Sequence, residues 1–134
     1  MDDLVQFLLA RLDEDAELAR QAEQVGGAPS WDSAADVLLL PGLRTRRRLA
    51  DQGVPDALQG AVEAHAARHD PARVLAEVEA KRRMVTEFEK EQWVMEQGHH
   101  TGWTEGGQSV RLSMIRSWAA IYADHPDYRD TWRP

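Results

Sequence analysis

The dipeptide Asp70-Pro71 most constrains how this chain can fold, because it announces the start of a long helix in two ways at once. An aspartate just outside a helix accepts from backbone amides that lack an intrahelical partner, and a proline at the first helical position forfeits no bond that the helix needs. Beyond it Val74, Leu75, Val78, Lys81, Val85 and Phe88 keep helical spacing, leaving Arg73, Glu77, Glu79, Arg82 and Arg83 to solvent or to ion pairs. Phe88, Trp93, Val94 and Met95 carry the pattern toward Gln97, so a helix is predicted over 70–97. Gly53 and Pro55 mark off a shorter one over 56–69.

Two further helices follow from the same periodicity. Leu4, Phe7, Leu8, Leu12, Ala16 and Ala19 recur at three or four residue steps and predict a helix over 3–24, capped by Asp2 or Asp3. Its residues Asp13, Glu14, Asp15 and Glu17 fall mainly on the wet face, and Gly26, Gly27 and Pro29 end it. Ser109 opens the last predicted helix, 109–123, through Leu112, Ile115, Trp118, Ala119 and Tyr122, with Asp124 and Pro126 at its end. Gly98, Gly102, Gly106 and Gly107 make 98–108 a loop expectation; without a lysine followed by serine or threonine it is no phosphate-binding loop. Val37 to Leu40 reads equally as a buried helical turn or a short strand, stopped by Pro41 and Gly42. The expected architecture is all-α: one helical domain over 1–134, a small irregular bundle of three or four main helices with a variable Gly/Pro-containing connection over 26–53.

A chain of 134 residues can bury roughly two thirds of its unfolded surface, enough for a real core. Sixteen basic against 23 acidic residues leave a net charge of −7, which argues against a generally nucleic-acid-binding surface. There is no cysteine, hence no disulfide, thiolate nucleophile or thiolate metal site. Asp2 and Asp3 stand where a targeting leader is basic, and no apolar run approaches the roughly 20 residues that cross a bilayer, so a cytoplasmic protein without membrane contact is expected.

Chemistry-bearing residues are sparse. Arg44, Arg46, Arg47 and Arg48 form a cluster suited to an acidic protein surface or to phosphates, or simply to solvent. His65 and His69 face one side if the helix persists to His69, and Glu63 or Asp70 could add an oxygen, yet two histidines without a proven third ligand make no zinc signature. A hydrogen-bonded helix junction is the plainer reading of the pair, ahead of a partner contact and of metal ligation. His99, His100 and Trp103 fall in the glycine-rich stretch, where a surface loop is the plainer reading. Trp31 reads as a core cover or helix-end contact, and Trp118 and Tyr122 read as core or interface anchors. Tyr128, Arg129 and Trp132 either fold back as a short cover or meet a partner.

Three blocks, LVQFLLARLDEDAELARQA, HAARHDPARVLAEVEAKRR and YADHPDYRDTWRP, resemble in content and order the DUF6221 family of actinobacteria and their phages. The resemblance covers His65, Arg68, His69, Asp70, Pro71, Arg73, Val74, Leu75, Lys81 and Arg82, then Tyr122 to Tyr128 and Trp132, and it implies no established catalytic role for any of them. Many members carry cysteines before the last helix. Gln97 to Gln108 carries none here, so a thiolate site does not transfer and any metal would need other ligands.

Two function classes follow, with a third ranked below them. A regulatory or protein-interaction module, acting on a protein partner or as a homo-oligomer through Arg44 to Arg48 or Tyr128, Arg129 and Trp132, accounts for the amphipathic helices without a hidden active site or a cofactor. The alternative is a metal-dependent enzyme that activates water with some set of Glu63, His65, His69, His99, His100 and His125. A DNA-associated module would read the two helices around Asp70 as a helix-turn-helix and must reconcile Arg73, Arg82 and Arg83 with Glu77 and Glu79.

Overall fold

A computed structural model describes residues 2–26, 53 and 56–134, apart from the side chains of residues 25, 26, 56–59, 62 and 63. Among the described residues the chain is all-α: α1 (Asp2–Gly26), α2 (Asp56–Arg68), α3 (Pro71–Glu96) and α4 (Gly102–Ala119), then single 3-10 turns at Ala120–Tyr122 and Asp130–Trp132. Trp31, Val37 to Leu40 and the cluster Arg44, Arg46, Arg47 and Arg48 lie outside the described residues. The fold gathers into two compact units, Met1–Glu14 with Val78–Pro134, and Asp15–Glu77.

The first unit is built on the opening turns of α1. Leu4, Val5, Phe7, Leu8, Arg11 and Leu12 are all buried there. At 3.6 residues per turn they occupy an arc of about 160°, wider than the stripe a single neighbouring surface covers. Val5 lies at one margin, beside Phe88 and Trp93 of α3 in a shared groove. Phe7 and Arg11 lie at the other, under the carboxy-terminal segment. Val85 and Phe88 of α3 and Ile115 and Ala119 of α4 complete the core. Removing each such large side chain from water contributes about 1.5–3 kcal/mol.

The α3 to α4 connection explains itself residue by residue. Gly98 takes φ +89°, a backbone region that a Cβ disfavours. In that conformation the Gly98 amide donates to the Met95 carbonyl (2.9 Å) and the His99 amide reaches back to that of Val94 (3.4 Å), the pair of bonds that closes a helix on a left-handed glycine. Thr101 then caps α4: its hydroxyl accepts from the Thr104 amide (3.1 Å), while the Thr104 hydroxyl accepts from the Thr101 amide (2.9 Å).

This reciprocal cap corrects the expected start of the last helix, which begins at Gly102 and not at Ser109. Glycines at 102, 106 and 107 weaken a helix, but the cap nucleates this one and Gln108 anchors it, donating from Nε2 to the Phe88 carbonyl (2.9 Å) and to Gln92 Oε1 (3.2 Å) of α3. At the other end α4 stops at Ala119, short of the expected Ala123, and tightens into the first 3-10 turn.

In the second unit, only His69 and Asp70 separate α2 from α3. The His69 amide closes the last turn of α2 on the carbonyls of His65 (3.2 Å) and Ala66 (3.1 Å). Asp70 is buried, and its Oδ1 accepts from the Arg73 amide at 2.8 Å, the N-cap bond that the Asp70-Pro71 signature foretold. Arg73 Nη1 donates to the Arg68 carbonyl (3.2 Å), so one side chain ties the end of α2 to the beginning of α3. Asp70→Ala is expected to lower stability by about 1–2 kcal/mol, read from the urea midpoint at constant slope, with Asp70→Asn recovering most of the loss.

Candidate functional site

The densest gathering of chemically distinctive side chains is where the carboxy-terminal segment crosses α1. His125-Pro126-Asp127-Tyr128 forms a turn closed by the Tyr128 amide on the His125 carbonyl (2.9 Å), with proline at the position whose fixed φ suits it. The Asp127 amide donates to His125 Nδ1 (3.1 Å), locking the ring to its own turn. The 3-10 turn Asp130–Trp132 then sets Trp132 beside Tyr128, with ring centroids 5.9 Å apart and nearly perpendicular planes.

Phe7 is the shared contact of this segment. Its ring meets His125 at 5.7 Å, Tyr128 at 5.9 Å and Trp132 at 5.1 Å between centroids. The Arg11 guanidinium lies 5.3 Å from the same ring, donates to Glu14 Oε1 (2.6 Å) and contacts the imidazole of His125. Arg11 is only 8% exposed, so its pairing with Glu14 is what makes its burial tolerable. Arg129 sits 5.1 Å from the Trp132 ring and donates to Asp3 Oδ2 (2.6 Å), which fastens the segment to the first turn of α1.

These residues wall an open groove of about 480 Å³, with Asp3, Gln6, Phe7 and Arg11 on one side and Tyr128, Arg129 and Trp132 on the other. The two guanidiniums in the wall are already matched by carboxylates. Tyr128 and Trp132, expected either to fold back as a short cover or to meet a partner, lie against Phe7 of α1, and Arg129 remains exposed.

The other candidates separate. His65 and His69 do come together, their rings 4.5 Å apart between centroids. The side chain of Glu63 lies outside the described residues. His99 and His100 are exposed beyond α3, and His125 belongs to the Phe7 contact. Among the described residues, no three His, Cys, Asp or Glu side chains gather as a metal-ligand set. On α3 the arginines are spoken for: Arg73 pairs with Glu77 (2.9 Å), Arg83 with Glu79 (3.5 Å) and Arg82 with Asp13 of α1. Lys90 donates to Glu87 at 2.7 Å, and that bond, with the lysine charge, holds the Glu87 carboxyl below its ordinary range.

Sequence reasoning missed the tryptophans that the fold leaves outside. Trp103 is 92% exposed and Trp93 62% exposed. Each is five residues from a buried anchor on its own helix, Gln108 and Phe88 respectively, and five residues turn a helix about 140° away from such an anchor. That spacing was present in the sequence; it carried no meaning while Trp103 was assigned to a loop.

The Tyr128 hydroxyl is buried with no hydrogen-bond partner among the described residues. Tyr128→Phe is expected to leave thermal stability unchanged or raise it by up to about 1 kcal/mol, whereas Phe7→Ala is expected to lower it by about 3 kcal/mol or more. Differential scanning calorimetry of the two variants against the parent separates these outcomes.

No curated protein and no solved structure matches the chain. One family model does, over residues 1–134, the entire length of the sequence. The three blocks with their Asp70-Pro71 cap and His125-Pro126 turn are therefore parts of one continuous pattern, and the chain belongs to DUF6221, a family of unknown function.

Proposed function

We propose that this chain is a small cytoplasmic regulatory or protein-interaction module, not an enzyme, and that the tryptophans Trp93 and Trp103 anchor its protein partner. The observation that carries the reading is the near-complete exposure of Trp103 in the first turn of a helix whose start is capped by Thr101 and Thr104. Tryptophan is the residue most enriched among the energetic anchors of interfaces, where a preordered platform loses little entropy on binding. An indole left in water by its own fold gains its full burial energy only from a second molecule.

Charge points to the character of that partner. Glu89, Glu96 and Glu105 are exposed on the two helices that carry the tryptophans, and Asp2, Glu89 and Glu96 rim the groove that Trp93 shares with Phe88. A complementary surface has an apolar recess bordered by lysine or arginine. This also suits a chain of net charge −7 better than a nucleic-acid backbone does. No helix among the described residues is long and apolar enough to cross a membrane.

Native mass spectrometry of the full chain, purified gently from its host, tests the reading. The expected spectrum contains a stoichiometric protein complex that is lost in Trp103→Ala and weakened in Trp93→Ala, while both variants keep the circular dichroism and melting temperature of the parent. A parent spectrum of bare monomer, or a complex indifferent to both substitutions, overturns it.

A further inference from the structure

We infer that His65 and His69 form a chelating site for a late first-row divalent cation, of the class of Zn²⁺, Ni²⁺ or Cu²⁺, at the carboxy-terminal end of α2. The two imidazoles are one helical turn apart, and the turn between them is closed by the His69 amide on the His65 carbonyl (3.2 Å). Their rings already lie together, 4.5 Å between centroids with planes inclined by 43°. Both side chains are exposed, so a hydrated ion reaches them without any opening of the fold.

The metal preference follows from the ligands. Imidazole nitrogen binds zinc at about 2.0–2.1 Å, so one ion needs the two nitrogens only a few ångströms apart, a distance that rotation about the side-chain bonds supplies from the observed stack. Nitrogen donors of this kind suit zinc, nickel and copper, whereas magnesium and calcium take oxygen. Water fills the remaining positions, since no third His, Cys, Asp or Glu joins the pair among the described residues. The ion is therefore held by two protein ligands and exchanges readily.

Two features of the surroundings favour occupancy. The backbone beneath the pair is fixed, because Asp70 caps α3 directly after His69 and Arg73 reaches back to the Arg68 carbonyl. The backbone spacing of the pair is thus set by the junction, and only the two side chains turn on binding. His69 also lines an open groove of about 400 Å³, which leaves room for the waters that complete the ion's coordination. An ion bound here bridges the last turn of α2 to the residue that follows it, and so stabilises the end of α2 by mass action.

Titration of the full-length protein with ZnCl₂, followed by melting temperature and by the histidine ring resonances in NMR, tests the inference, with MgCl₂ as the control ion. Zinc is expected to raise the melting temperature and shift the rings of His65 and His69 saturably, while magnesium does neither. His65→Ala and His69→Ala, both at exposed positions, are expected to melt like the parent without metal and to lose the zinc response. The double variant His99→Ala/His100→Ala keeps it. Absence of a zinc response at millimolar concentration, its survival in both single variants, or its loss only in the His99/His100 variant overturns the site. A protein partner is not required for any of these readouts, so they stand or fall independently of the interaction reading.

Discussion

The burial of Phe7 is the contact on which the first compact unit depends. Along its opening turns α1 carries apolar side chains around too much of its circumference for one neighbouring surface to cover. Val5 is met from the α3 side; Phe7 has to be met by something else, and His125, Tyr128 and Trp132 converge on its ring from the carboxy-terminal segment. The hydrogen-bonded turn at Pro126, the 3-10 turn at Trp132 and the ion pair from Arg129 to Asp3 are the local means by which a segment without a long helix reaches that position.

The same contact decides which parts of the chain remain for recognition. Tyr128 and Trp132 have their ring faces engaged by their own chain, and the arginines of α3 have theirs engaged by carboxylates one turn away or on α1. Among the described residues, Trp93 and Trp103 stand exposed on α3 and α4, and His65 and His69 at the end of α2. The two proposed sites are in different compact units, so one chain can present both.

Much of the fold was readable from the sequence where local chemistry and periodicity agreed. Asp70-Pro71 is a start signal whose mechanism is entirely local, and the structure places its hydrogen bond on Arg73 as that mechanism requires. The apolar steps of Leu4, Leu8 and Leu12 were legible for the same reason, because one helix period generates them. Gly102 to Gln108 was not, since glycine content outweighed a cap made by two threonines, where the familiar pattern has glutamate or glutamine in the second place. The Phe7 contact was legible only in part: the terminal aromatics suggested a cover, but nothing in their spacing could say which helix they cover or that the buried Arg11 would share the site. That information resides in pairings between residues far apart in sequence, which periodicity does not encode.

The clasp on α1 has a kinetic side. Arg129 and Asp3 are 126 positions apart and Arg11 and His125 are 114 apart, whereas the α3 to α4 hairpin is joined through contacts of 20 positions or fewer. Chain entropy makes the nearer contacts faster to form and the distant ones slower. The hairpin therefore has the shorter loop to close, and the clasp on α1 the longer. The contacts of that segment with Phe7 share no hydrogen bond with the Gln108 bonds to Phe88 and Gln92 that join α3 to α4, so the clasp and the hairpin are held by separate interactions.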